Sequence, residues 1–174
     1  MKDTCPIHYW AKETPERIAI EAGSVMLSYR TLNRRVASLA QQLARKGFVP
    51  GDRLVVPAKG SLESLLLAWS CLRAGVIFCP HNPAFPVAQQ LNLAKRLQAD
   101  WVCQTESDND YSSQLTPITL SFLAEANADE PPSIDGSQLC NTIFTSGSSG
   151  TPKAVLHSVA NHLASARGSA SFIP

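Results

Sequence analysis

Between Thr145 and Lys153 the chain reads TSGSSGTPK, which sets two glycines, a proline, a run of hydroxyl side chains and one ammonium side by side. An ordinary surface turn needs one glycine or one proline, because a single position at positive φ, or a single fixed φ, reverses the chain. A segment with so little side chain exposes its backbone N–H groups and can fold closely around an anion, with the hydroxyls and the ammonium as further donors. Phosphate binding is the chemistry these residue types suit. The candidate residues are Thr145, Ser146, Gly147, Ser148, Ser149, Gly150, Thr151 and Lys153. The alternative is a flexible linker or a structural turn of the same composition. The flanks favour the anion site over a linker: Asn141-Thr142-Ile143-Phe144 before it and Ala154-Val155-Leu156 after it are β-branched and apolar, and both predict strands.

Two familiar phosphate-binding patterns do not fit. The Walker A loop requires a glycine directly before its lysine and a hydroxyl directly after, at the start of a helix. Here Pro152 and Ala154 occupy those positions. The dinucleotide fingerprint needs a third glycine opening a helix. A loop between two strands is a different geometry.

The elements that must position this loop follow from the apolar spacing. From Ser28, Leu32, Val36, Leu39 and Leu43 recur at helical intervals, with Ser28 as N-cap, Gly47 just past the end, and Arg34, Arg35, Gln41 and Gln42 toward solvent. Val49-Pro50-Gly51-Asp52 is a turn and Leu54-Val55-Val56 a short buried strand. Ser61 to Leu72 is a helix apolar on most sides, ended by Gly75 before the strand Val76 to Cys79. The three prolines of residues 80 to 86 predict a rigid loop, followed by a helix over Val87 to Leu97 and a strand at Trp101-Val102-Cys103. Polar stretches at 106–114 and 127–138 read as surface loops, and a helix runs from Val159 to about Ser171. Alternating apolar strands and helices predict an α/β fold, a layered and mainly parallel sheet covered by helices.

Composition narrows the functional classes. With 174 residues, 44% hydrophobic, 17% charged and a formal charge of +1, the chain is globular, and it has no basic footprint for nucleic acid. No apolar run reaches the ~20 residues that cross a bilayer, and the N-terminus lacks the apolar core of a signal peptide, so a cytoplasmic protein with no membrane partner is expected. Cys5, Cys71, Cys79, Cys103 and Cys140 form no CxxC pair and read as small buried hydrophobes, and His8, His81, His157 and His162 lack metal-ligand spacing. No metal ligand is predicted.

Taken in order, these segments resemble the adenylate-forming superfamily of acyl-CoA synthetases, luciferases and peptide-synthetase adenylation domains. LSYRTLNRRVASLAQQLARKGFVPGDRL is similar to the family's first helix and Gly-Asp turn, LRAGVIFCPHNPAFP to its alanine-glycine and double-proline segment, and TSGSSGTPKAV to its phosphate loop. Within it, QLCNTIFTSGSSG and PKAVLHSVANHLASARGSASFIP are most similar to the o-succinylbenzoate-CoA ligases of menaquinone synthesis.

The resemblance implies a two-step reaction on small molecules: a carboxylate attacks the α-phosphate of Mg-ATP to give an acyl-adenylate, and coenzyme A then displaces AMP. It implies that Lys153 is catalytic and that the loop hydroxyls and glycines bind the ATP phosphates. The family's adenine, ribose, metal and acyl subsites and its mobile lid lie beyond the phosphate loop, so residues 1–174 are expected to be an incomplete, N-terminal part of the AMP-binding domain. Such a chain is expected to be inactive alone and to self-associate through uncovered apolar surface. The alternatives are part of a peptide-synthetase adenylation domain, or a non-catalytic remnant that serves as an interaction protein.

Overall fold

Strands and helices alternate through most of the chain in a computed structural model that describes residues 5–58, 60–103, 110–145 and 152–170. A short helix α1 (Pro6–Glu13) and a hairpin of β1 (Ile18–Ala22) and β2 (Val25–Ser28) come first. Helix α2 (Tyr29–Arg45) follows directly, capped by Ser28 Oγ, which accepts from Thr31 N at 3.3 Å. A cap of this kind contributes about 1 kcal/mol. Leu32, Val36, Leu39 and Leu43 are all buried, as their spacing requires. Gln42, expected in solvent, is half-buried instead, because its side-chain amide donates to Ser121 O at 3.1 Å and accepts from Ser121 N at 2.8 Å.

The main sheet is built from β3 (Arg53–Pro57), β4 (Ile77–His81), β5 (Trp101–Cys103), β6 (Thr116–Ile118), β7 (Leu139–Thr145) and β8 (Lys153–Ser158). Its spatial order is β6-β5-β3-β4-β7-β8, parallel except for the last pair. Helix α3 (Leu62–Ala74) links β3 to β4, α4 (Val87–Arg96) links β4 to β5, and α5 (Val159–Ala170) follows β8.

Alternate residues of the central strands enter two different cores. Leu54, Val56, Phe78 and Cys103 join the side chains of α2 and α3 on one face. Val55, Ile77, Cys79 and Val102 meet Leu91 and Ala94 of α4 on the other. Period-2 alternation with both sets apolar is what a sheet covered on both faces demands. All five cysteines are free and buried, in keeping with their reading as small hydrophobes.

The segment 80–86 is loop only from Asn82 onward, because Pro80 and His81 complete β4. Pro80 is opposite Val56 of β3, while β7 pairs with β4 only at Phe78, so the missing proline N–H falls beyond the ladder with β7. The remaining turn is pinned by Gln90, whose Nε2 donates to Phe85 O at 2.7 Å while its Oε1 accepts from Tyr111 Oη at 2.8 Å.

Gly75 joins the end of α3 to the turn that starts β3. It has φ +74°, its carbonyl accepts from Gly51 N at 2.9 Å, and a Cβ there would meet Pro50 Cβ at 3.0 Å. Gly75→Ala therefore combines a left-handed backbone penalty with a displaced turn and is expected to lower unfolding free energy by at least about 2 kcal/mol. Gly47→Ala, at φ +93° with nothing within 4 Å of its Cβ, is the control, expected to lose about 1 kcal/mol. Urea titration of the two variants measures the difference.

Candidate functional site

The sheet topology fixes where a site can form. From β3 the chain steps to β4 on one side, then returns across the opposite face to β5 on the other side of β3. Ligands of open α/β sheets bind beyond the carboxyl ends of the strands, at such a reversal of order. The carboxyl end of β7, next to β4, lies on that rim, and it is where the Ser/Gly segment leaves the sheet.

Thr145 closes β7, Lys153 opens β8, and the two are antiparallel partners. Thr145 Oγ1 donates to Lys153 O at 3.5 Å, both side chains are exposed, and Pro152 beside them is half-buried. The hairpin thus brings the first and last of the predicted site residues together at one mouth. Ser146, Gly147, Ser148, Ser149, Gly150 and Thr151 lie outside the described residues. Lys153 makes no ion pair among the described residues, so its charge is available to an anion.

Beneath the mouth is a cavity of about 380 Å³ whose lining includes His81, Phe85, Thr142, Phe144, Thr145 and Pro152. His81 is 2% exposed, and neither ring nitrogen has a hydrogen-bond partner. Burial pushes its pKa down to about 4. The imidazole is therefore neutral at physiological pH. Spacing along the sequence gave no cue to this, since His81 enters the cavity through strand register rather than through a motif.

Other chemistries lack their groups here. Burial pushes the Cys79 thiol up to about 11 and Cys103 to about 12, and raises Cys71 well above its ordinary value, so none of them is a thiolate nucleophile. Among the described residues no group of three or more His, Cys, Asp or Glu side chains could hold a metal ion. His157 and His162 are neighbours, with ring centroids 5.5 Å apart, and His162 Nε2 bonds Asn141 Oδ1 at 2.9 Å. No helix among the described residues is long and apolar enough to cross a membrane. A second cavity of about 470 Å³, walled by Trp69, Leu72, Phe78, Val159 and Leu163, is apolar and lies between α3 and α5.

A family model described as AMP-binding enzyme matches residues 7–173. The chain belongs to that family. The resemblance drawn from the three sequence segments is thereby upheld. The 2-succinylbenzoate–CoA ligase of Escherichia coli strain K12 is 31% identical over 169 residues, covering 97% of this chain and 37% of the relative. The malformin synthetase mlfA of Aspergillus vadensis is 32% identical over 157 residues, covering 86% of this chain but 3% of its own length. A solved structure of an E. coli MenE variant with bound OSB-AMS matches with a TM-score of 0.87 at 28% identity, covering 100% of this chain and 38% of that one. The chain spans little more than a third of the length of the ligases it matches, and its mainly parallel α/β sheet has the fold of the matching part of that AMP-binding enzyme.

The buried His81 gives the site a pH signature. Its folded pKa, about 4, lies below the ordinary 6.5, so the unfolded chain binds the extra proton first. Its contribution is present above pH 6.5 and is lost as pH falls toward 4, by on the order of 3 kcal/mol. His8, lowered in pKa chiefly by burial, adds to the loss with the same sign. Urea midpoints measured from pH 7.0 to 4.5 are expected to fall in the wild type and to fall less in His81→Phe; equal slopes would show that His81 is not held neutral.

Proposed function

We propose that this chain supplies the phosphate-binding side of an ATP-dependent carboxylate–CoA ligase whose acid is o-succinylbenzoate. The observation that carries the proposal is the β7–β8 hairpin, which presents Thr145 and the cation Lys153 on the carboxyl rim of a parallel sheet, in a chain of the AMP-binding enzyme family. The E. coli relative named for ligation of 2-succinylbenzoate to CoA supports this choice of substrate. Residues 1–174 are read as part of the AMP-binding domain of that enzyme. The reaction involves small molecules, Mg-ATP and coenzyme A among them, and is placed in the cytoplasm without nucleic acid or membrane.

The chemistry asks for charge handling more than for acid or base groups. A substrate carboxylate oxygen attacks the α-phosphorus of Mg-ATP, the bond to the bridging oxygen breaks, and pyrophosphate leaves with the negative charge. The thiol of coenzyme A then attacks the acyl carbon and AMP departs. Lys153 and the hydroxyls of Thr145, Ser146, Ser148, Ser149 and Thr151 serve the first step, by donating to phosphate oxygens as charge grows on the leaving group. Gly147 and Gly150 let the backbone come close. Magnesium enters carried by ATP, as the described residues offer it no ligand cluster of their own.

A peptide-synthetase adenylation domain shares the first step and is the second reading, supported by the likeness to malformin synthetase over 86% of the chain. The acceptor separates them: the ligase releases pyrophosphate with Mg-ATP and o-succinylbenzoate and then forms a CoA thioester, whereas an adenylation domain responds to amino acids and loads a carrier protein.

Two outcomes test the proposal directly. In an enzyme that carries this segment, Lys153→Ala is expected to lower kcat about 10²- to 10³-fold, with a smaller change in KM for ATP and an unchanged Tm. A residue that only shaped a turn would lower Tm and leave turnover per folded molecule intact. The isolated chain, which offers phosphate contacts, is expected to bind Mg-ATP with a Kd in the millimolar range, about 4 kcal/mol. It is also expected to self-associate in light scattering, since Val155 and Leu156 on the edge strand β8 are 40% and 39% exposed. Micromolar Mg-ATP binding by a monodisperse monomer would contradict both expectations.

A further inference from the structure

His157 and His162 match no helical ligand spacing, because one stands on β8 and the other in the first turns of α5. The fold nevertheless brings their rings together, with centroids 5.5 Å apart and planes at 49°. Asn141 joins them from the other strand of the hairpin. It is the cross-strand partner of His157, beside a register shift between Leu139 and Asn141, and its Oδ1 is 2.9 Å from His162 Nε2. Opposed residues of an antiparallel pair share one face, so two imidazoles and an amide oxygen converge at the start of α5.

The backbone that carries them is pinned. Ser158 N donates to Asn161 Oδ1 at 2.9 Å and Asn161 N donates to Ser158 Oγ at 3.3 Å, a reciprocal pair of the capping-box kind that fixes how α5 leaves β8. Val159 N donates to Gln138 O and Ala160 N to Gly136 O, both at 2.9 Å, which ties the same junction to the chain before β7. His162 is exposed, and His157 and Asn141 are half-buried, so the cluster is open to solvent. The His157 ring makes no hydrogen bond or ion pair among the described residues.

We infer that His157, His162 and Asn141 form a binding site for one divalent transition cation of the zinc, nickel and copper type, which fastens α5 to the β7–β8 hairpin. Ligands about 2.1 Å from one ion and 90–110° apart lie about 3.0–3.4 Å from each other, so His162 Nε2 and Asn141 Oδ1 already have close to the spacing of adjacent ligands. Two imidazoles on one ion have centroids about 5 Å apart, a small movement from the present pair. On binding, Nε2 of His162 gives its lone pair to the metal, and the ring stays neutral by carrying its proton on Nδ1. His157 has no side-chain hydrogen bond to break in turning a nitrogen to the ion. Water completes the shell. Imidazole ligands without a carboxylate suit these cations and not magnesium or calcium. The positive end of α5 opposes any cation, so both imidazoles are needed. Asn141 precedes Thr145 by four residues on β7, about 13 Å along the strand, so the site is separate from the hairpin mouth and does not rest on its phosphate-binding reading.

Titration calorimetry of the untagged chain with Zn²⁺ at pH 7, without nucleotide, is expected to show one site of micromolar Kd, and no binding of Mg²⁺ in the same range. His157→Ala and His162→Ala are each expected to weaken Zn²⁺ binding at least about tenfold and Asn141→Ala about three- to tenfold, while Asn141→Asp, which supplies a carboxylate, tightens it about tenfold. Zn²⁺ is expected to raise the Tm of the wild type and not that of His157→Ala. In NMR spectra the ring signals of His157 and His162 shift together, and those of His8 and His81, each 2% exposed, stay in place. Should an alanine variant fail to fold, His157→Gln and His162→Gln carry the same comparison. Wild-type binding no tighter than that of the single-histidine variants, or an affinity indifferent to both changes at Asn141, would overturn the three-donor site. Because no nucleotide is present, the result decides the metal site whether or not the hairpin binds phosphate.

Discussion

Strands β3 and β4 are apolar on both faces, and the architecture around the site depends on that constraint. Leu54, Val55, Val56, Ile77 and Cys79 are at most 2% exposed, and no single layer of helices could bury them all. Burying one leucine or valine side chain is worth about 1.5–3 kcal/mol, so leaving either face wet would forfeit much of the domain's margin. Covering both faces requires α2 and α3 on one side and α4 on the other. A chain that covers both sides must reverse direction across the sheet. That reversal, from β4 over α4 to β5, leaves the carboxyl rim where β7 can add beside β4 and launch the Ser/Gly segment.

The lock that sets this rim in register is small. Gly51 N donates to the Gly75 carbonyl, Ile77 N donates to Asp52 O at 2.7 Å, and Val76 N donates to Cys71 O at 2.9 Å, so the start of β3, the end of α3 and the start of β4 are bonded within a few residues of one another. From there β3 and β4 run parallel to Pro57 and His81. A second anchor sits behind the first: Arg73 on α3 donates to both the backbone and the side-chain oxygen of Asn33 on α2, at 3.2 and 2.5 Å, which fixes the two helices that cover one face. Errors at the start of β4 would be carried along the strand to His81 and hence to the hairpin mouth.

Much of this was legible in the sequence because the signals were local and strong. Ser28 caps α2 as expected, Ser61, read as the first residue of its helix, is its N-cap instead, and Gly75 ends α3 in the left-handed conformation. The alternation of apolar strands with helices gave the parallel sheet, and the hydroxyl-glycine-lysine segment stands between two strands as its flanks required. What was not legible is tertiary in origin. The first helix has no side-chain cap, and β1 has no clean alternation, with burial running from exposed to partly buried and back, so neither showed a local pattern. Pro80 reads as a strand breaker until its pairing shows that it lies beyond the ladder with β7. Asn33 and Gln90 look like surface polar residues, yet both are buried by partners at long range: Asn33 Nδ2 donates to Ala128 O at 3.1 Å, and Gln90 bonds Phe85 and Tyr111.

The same contrast between local and tertiary signals explains how charge is arranged at the site. Lys153 stands exposed at the rim, where keeping an ammonium charged costs little, while beneath it the cavity has no charged lining. In water an ion pair at contact is worth only about 1 kcal/mol, and the same pair in a drier setting several times that. If it binds phosphate as proposed, the hairpin as it stands recognises an anion more than it stabilises one. To act strongly on charge developing at a phosphate, the mouth has to lose water, which an apolar covering surface brings about. Ile143 on β7 and its cross-strand partner Val155 on β8, both exposed, give such a cover an apolar surface on one face of the hairpin. The residues whose exposure on the sheet edge favours association are thus suited to drying the proposed phosphate site once they are covered.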